Sequence, residues 1–296
     1  MRPFFIMTML LTALTSHARD WNHHWIYCQQ ADSVSQVWFM RSYTLRQRPE
    51  EAFVEVASSG RFILYINGYN VTTSLWEPFV DRQGDTIGVV RYDVMPFLRS
   101  GDNELKVWFS PMRNDQRQLS LQFYGSIRGV PFAYSTDPSW TCRDALCRTL
   151  PNGDEWIDGR QHILKEQPLI GWQPVAMAQC RQSMLQLVHP SEITANRSYI
   201  TDYDIIDCDS LDSTRVVFRG GVSGRGILRI TLRDTHRGDT LFINGLRYIC
   251  RGESDEQAFR RFTTCDISEA VVQGPAWFRR DNVMSVEAIT VFPVEN

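Results

Sequence analysis

The sequence predicts an all-β protein made of two jelly-roll-like β-sandwiches. Three observations predict it. Helical periodicity is scarce, short polar–apolar alternations recur between Gly, Asn, Asp and Pro, and one set of turn and strand signals occurs twice in the same order. The 296 residues, 43% of them hydrophobic, suffice for two cores. With 34 Asp and Glu against 31 Lys and Arg, the charge excludes the broad basic footprint of a general nucleic-acid binder.

The chain opens with Arg2, an almost continuous apolar run from Phe4 to Leu14, and Ser16-His17-Ala18 in the small–x–small pattern of a cleavage site. This predicts a signal peptide over residues 1–18 and an exported protein, periplasmic or secreted. The run is too short to cross the ~30 Å hydrocarbon core, and no later stretch is apolar enough, so no transmembrane anchor is expected.

Among the predicted strands, Glu104–Val107, Gln118–Phe123 and Leu228–Arg233 alternate as strands with one buried face should. Arg61–Ile66 is continuously apolar after its Arg and reads as a strand covered on both faces. The repeat runs Asn67-Gly68, Asp93, Asp102-Asn103 in the first half and Asn244-Gly245, Asp266, Asp281-Asn282 in the second. Each Asn-Gly suits a type I′ hairpin turn. Each lone Asp suits the cap of a short helical turn, and each Asp-Asn opens an alternating strand. A break before Pro190 divides the chain into sandwiches over 19–185 and 186–296. Seven Cys follow the signal peptide; Cys142 with Cys147, and Cys250 with Cys265 as hairpin arms, are the pairings that look local.

Residues 36–109 resemble the N-terminal sandwich of bacterial α-L-rhamnosidases in Ala57–Phe62, Tyr65-Ile66-Asn67-Gly68, Pro78, Tyr92-Asp93-Val94 and Gly101-Asp102-Asn103. The likeness continues through Ser135–Trp140, Gly153–Arg160 and Gly171-Trp172, similar to that family's "TD-x-SW … GE-x-YDAR … GW" run. Cys250-Arg251-Gly252, Asp255–Phe259 and Arg261-Phe262 resemble its second sandwich. Two departures stand out. Ser110–Asp115 replaces a Gly-rich stretch, and the helical barrel that carries the family's catalytic acids has no counterpart before Asn296. The resemblance implies a galactose-binding-like first sandwich and a non-catalytic front end, with no catalytic residue.

A sugar site needs aromatic faces for pyranose C–H groups and forked donors and carboxylates for hydroxyls. Trp140, Asp154, Glu155, Trp156, Asp158, Arg160 and Trp172 supply them, with Trp76 as a second loop aromatic. Alternatively, the Trp residues close a sandwich end and Asp158 pairs with Arg160 structurally. The expected partners are a polysaccharide or oligosaccharide, rhamnose-containing in keeping with the resemblance, and a separate glycoside hydrolase. A protein-binding scaffold and a weak glycosidase using Asp154, Glu155 or Asp158 are the alternatives. No cofactor is required. The run Asp202, Asp204, Asp207, Asp209 and Asp212 reads as a solvated turn, with Ca²⁺ the ion it could take, although it lacks the EF-hand Gly and Glu.

Overall fold

A computed structural model describes residues 24–72, 75–76, 87–112, 117–160, 171–179, 185–188, 198–202, 214–219 and 223–291. The expected signal peptide (residues 1–18), Cys180, Cys208 and the acidic run beyond Asp202 lie outside these residues. The described chain is all-β, with two 3-10 turns at Met95–Phe97 and Arg280–Asn282.

The first region contributes β1 (Trp25–Tyr27), β2 (Ser35–Leu45), β3 (Glu51–Ser58), β4 (Arg61–Ile66), β5 (Tyr69–Asn70), β6 (Ile87–Asp93), β7 (Gly101–Ser110), β8 (Leu119–Ile127), β9 (Val130–Ser135), β10 (Thr141–Thr149), β11 (Glu155–Asp158), β12 (Gln173–Pro174), β13 (Ala176–Ala178) and β14 (Leu185–Val188). The second contributes β15 (Ser198–Asp202), β16 (Arg215–Arg219), β17 (Arg225–Leu232), β18 (Thr240–Ile243), β19 (Leu246–Ile249), β20 (Glu256–Phe259), β21 (Cys265–Asp266), β22 (Glu269–Gln273) and β23 (Val283–Val291).

These strands form three sheets. A seven-stranded sheet runs β13-β1-β8-β3-β6-β14, with β9 beside β8. A five-stranded sheet runs β15-β23-β17-β20, with β21 beside β17. Between them an eleven-stranded sheet, β16-β22-β18-β19-β11-β10-β2-β7-β4-β5 with β12 beside β10, passes without a break from one region to the other. The crossing is the parallel pair β11–β19, with Trp156 opposite Arg247 and Ile157 opposite Tyr248. The expected boundary at 185/186 meets the start of β14, which pairs with β6 of the first region.

Two cores follow. The first, between the seven-stranded sheet and the N-terminal part of the long sheet, holds Phe39, Val54, Leu64, Val107, Phe123 and Trp140. The second holds Ile230, Leu241, Tyr248, Phe262, Val272 and Phe278, and also takes Trp38, Ile63 and Trp108 from the back of β2, β4 and β7. Phe62, Leu64 and Ile66 of β4 face the first core while Ile63 faces the second, so this strand is covered on both faces as its continuous apolar run predicts. β17 alternates from Leu228 to Leu232 as expected. β8 departs from its alternation, because Ser120 and Gln122 are buried too. Ser120 lies opposite Ala57, which joins Trp25 and Val89 in a small cluster, and its hydroxyl is 3.5 Å from that of Thr136.

Neither expected cysteine pair forms. Cys142 and Cys147 sit on opposite faces of β10, one in each core, because side chains alternate along a strand. Cys250 and Cys265 are not hairpin arms: β19 pairs with β18 and β11, whereas Cys265 lies opposite Gly226 of β17 in the other sheet. All four are free thiols.

Candidate functional site

The segment from Gly153 to Arg160 forms the junction between the regions. A turn closed by Gly153 N–H on the Leu150 carbonyl (2.9 Å) delivers Glu155 to the start of β11. Glu155 is buried, and its two oxygens accept the backbone N–H groups of Arg261 (2.9 Å) and Phe262 (2.8 Å). From the other side Arg260, 3% exposed, donates to the Gly153 carbonyl (2.6 Å), the Asn244 carbonyl and the Thr263 hydroxyl (2.7 Å), with Asp154 at 3.5 Å. Arg61 of β4 donates to the Phe262 carbonyl, and the Phe262 ring meets Trp108 edge-on at 5.3 Å. The Arg261 guanidinium lies 3.6 Å from the centre of the Phe259 ring, and burial pulls its pKa down. Close approach dictates Gly159, where a Cβ would come within 2.3 Å of the Tyr248 hydroxyl.

The candidates thus separate. Asp154 and Glu155 hold the junction. Asp158 and Arg160 form the local ion pair, at 2.8 Å, which holds the Arg160 pKa up. Trp140, 0% exposed, belongs to the first core, and Trp76, at 1%, to the second, so neither ring presents a face to a ligand in this structure. Trp172 is half-buried against the second core, with the Arg143 guanidinium 5.2 Å from its ring centre. Trp156 alone among the four is 36% exposed.

Trp156 has company that the sequence reading missed. Strand pairing places Arg215 opposite Gln273, Gln273 opposite Phe242, Phe242 opposite Arg247, Arg247 opposite Trp156, and Trp156 opposite Arg148. Paired residues share a sheet face, so these six side chains form one row across six strands and across the junction. Phe242 is 51% exposed, and the Arg247 guanidinium sits 3.9 Å from the Trp156 ring centre. Arg148 is held by Asp144 (2.9 Å) and Asp32 (3.7 Å). Beside Phe242 the row borders an open groove of about 430 Å³, lined also by Asn244, Asp266, Glu269 and Val271. The sequence carries no signal for this row, since Leu241-Phe242-Ile243 is a continuous apolar run; burial of Leu241 and Ile243 in the fold is what turns Phe242 outward. Among the described residues, no group of three or more His, Cys, Asp or Glu side chains is arranged to hold a metal ion.

Residues 47–123 match the alpha-L-rhamnosidase N-terminal domain. The likeness of fold extends much further. An alpha-L-rhamnosidase from Dictyoglumus thermophilum superposes over 94% of this chain and 36% of its own, with a TM-score of 0.76 and 19% identity. One from Aspergillus terreus covers 92% and 36%, at 0.72 and 17%. A Streptomyces avermitilis alpha-L-rhamnosidase complexed with L-rhamnose covers 88% and 29%, at 0.71 and 16%. The fold is that of a rhamnosidase front end. No curated protein matches the chain. The chain spans about a third of the length of these rhamnosidases. Within the front-end fold, the matched residues run from ahead of β3 into β8. They include Arg61 and Trp108, whereas β11 and the row around Trp156 lie beyond them.

Proposed function

We propose that this chain is an exported carbohydrate-binding protein that captures a polysaccharide or oligosaccharide for a separate glycoside hydrolase and does not itself cut it. The observation that carries the reading is the row Arg215, Gln273, Phe242, Arg247, Trp156 and Arg148, in which Arg215, Gln273, Phe242 and Trp156 are exposed and Arg247 and Arg148 half-buried. Two aromatic rings stand two strand spacings apart, about 10 Å, with a guanidinium between them. That spacing calls for an oligosaccharide rather than a single ring. The rings would stack on pyranose C–H faces, and the Arg and Gln side chains would donate to hydroxyls. Export is supported by the charge, apolar run and small-residue site of residues 1–18. A rhamnose-containing glycan is the first to test, given the domain match. In this reading Glu155 is an anchor rather than an acid catalyst, since backbone amides occupy both its oxygens.

The test is a glycan array probed with residues 19–296, followed by calorimetry on any glycan bound. Binding should weaken roughly tenfold or more in Trp156→Ala and in Phe242→Ala, with unchanged thermal midpoints and no reducing sugar released. No glycan bound, or binding indifferent to both substitutions, would overturn the reading.

A further inference from the structure

Cys28 and Cys142 take no part in the junction or the row, yet the fold brings them together. Cys28 directly follows β1, and Cys142 is the second residue of β10. One short segment ties both down. β12 places Gln173 opposite Cys142, and β13 places Ala176 opposite Tyr27. Continuing that antiparallel register by one residue sets Cys28 against Val175. Cys28, Cys142 and Val175 are all buried in the first core, at 3%, 0% and 8% exposure, and the Cys142 thiol donates to the carbonyl of Pro174 (3.9 Å), the neighbour of Val175 in the same short segment. Cys147, Cys250 and Cys265 lie in the second core instead.

We propose that Cys28 and Cys142 form a disulfide that locks the N-terminal strand β1 onto β10. This inference stands apart from the sugar reading and needs only an oxidant of the disulfide class.

The chemistry at the pair is asymmetric. The Cys142 thiol, and then the backbone N–H groups of Ala31 and Gln30, support a thiolate at Cys28 and hold its pKa well below the ordinary thiol value against the opposing effect of burial. The same contact pushes Cys142 up. Cys28 is therefore the attacking thiolate. It attacks one sulfur of a small-molecule disulfide, whose S–S bond breaks and releases one thiolate. Cys142, deprotonated by solvent, then attacks the Cys28 sulfur of the mixed disulfide and releases the second thiolate. The protein loses two protons and two electrons, and the oxidant leaves as two thiols. Access to the buried pair comes from opening of β1, which has three residues and one paired position with β8. The loop closed exceeds a hundred residues, so the cross-link removes much chain entropy from the unfolded state.

The experiment incubates the folded, reduced chain (residues 19–296) with oxidised glutathione, blocks remaining thiols and maps the peptides by mass. Expected are a protein lighter by two hydrogens, a linked pair of peptides carrying Cys28 and Cys142, and a thermal midpoint raised on the order of 10 °C. The first step, consumption of the Cys28 thiol, should accelerate as pH rises and level off at lower pH than for an ordinary thiol. Cys28→Ser and Cys142→Ser should each lose the link and the shift, while Cys147→Ala keeps both. If a single variant fails to fold, the wild-type peptide map still decides. Other cysteines linked, a lasting glutathione adduct on Cys28, or thiols unreacted after prolonged exposure would each overturn the proposal.

Discussion

The two Asn-Gly hairpins make the sharpest internal comparison in the molecule. Both turns take the same backbone, with φ of 52° and 83° at Asn67-Gly68 and 42° and 81° at Asn244-Gly245. Both Asn side chains brace the turn against a neighbouring strand. Asn67 accepts from Glu104 N–H (3.0 Å) and donates to the Phe97 carbonyl (2.9 Å); Asn244 accepts from Val271 N–H (2.8 Å) and donates to the Glu269 carbonyl (2.7 Å). The braced strands occupy different places in the repeat. Asn67 grips β7, opened by Asp102-Asn103, whereas Asn244 grips β22, which precedes Asp281-Asn282. In space β22 lies beside β18 as β7 lies beside β4, and β23 leaves for the five-stranded sheet. The lone Asp residues diverge as well. Asp93 accepts from Met95 N–H (3.1 Å) just ahead of a 3-10 turn whose N-cap is Val94, not Asp93, while Asp266 accepts from Ser268 N–H (2.8 Å) in a bend that feeds straight into β22. Local signals therefore set the turns, and long-range pairing sets which strand each turn serves.

The largest expected effect tests the contact that the turn of the second hairpin makes with the other region, through Arg260 on the Asn244 and Gly153 carbonyls. Arg260→Ala should cost about 3 kcal/mol in denaturant unfolding, because it leaves the part-buried carbonyls of Gly153 and Asn244 without their charged donor. A loss under 1 kcal/mol would mean that the junction contributes little. Asn67→Ala and Asn244→Ala should each cost about 2 kcal/mol, since each braces its strand equally well; unequal losses would break the symmetry of the two turns. Gly68→Ala should cost about 1 kcal/mol from the positive φ alone, as nothing lies within 4 Å of the added Cβ. Gly245→Ala should cost about 1 kcal/mol more, because there the Cβ would meet Asp154 Oδ1 at 2.0 Å. Equal melting temperatures for the two glycine variants would show that the junction yields freely. Smallest of all, Trp156→Ala should change stability by less than about 1 kcal/mol. Under the proposed function its effect falls on glycan binding, and a large stability loss would mark Trp156 as part of the junction instead.

Much of the fold was legible in the sequence because it rests on local rules. Asn-Gly pairs adopt positive φ cheaply, strand patterns alternate with the pleat, and the continuous apolar run of Arg61–Ile66 announces two covered faces. The candidate site was legible only in part. Of the tryptophans the sequence marks, Trp156 is exposed while Trp140 and Trp76 are buried, and Phe242 and Arg247, the neighbours of Trp156 in the row, carry no mark in the sequence. Composition marks a residue as able to stack on a sugar; it does not say which face of which sheet it occupies. The cysteines make the same point. Cys142 and Cys147 are close in sequence and fall in different cores, while Cys28 reaches Cys142 from over a hundred residues away.

What the sequence determined by itself is the all-β class, the positions of the tight turns and the likeness to a rhamnosidase front end. Tertiary structure decided that Gly153–Arg160 joins two regions rather than standing open as a loop. It also decided that one sheet runs through both regions and that six residues from six strands line up on its face. The contacts responsible, Glu155 with Phe262 and Gly153 with Arg260, each link residues 107 positions apart. A strand's propensity and parity are local, but its partner is chosen by which pairing buries the most apolar surface and leaves no backbone amide unsatisfied, and those are sums over the whole chain.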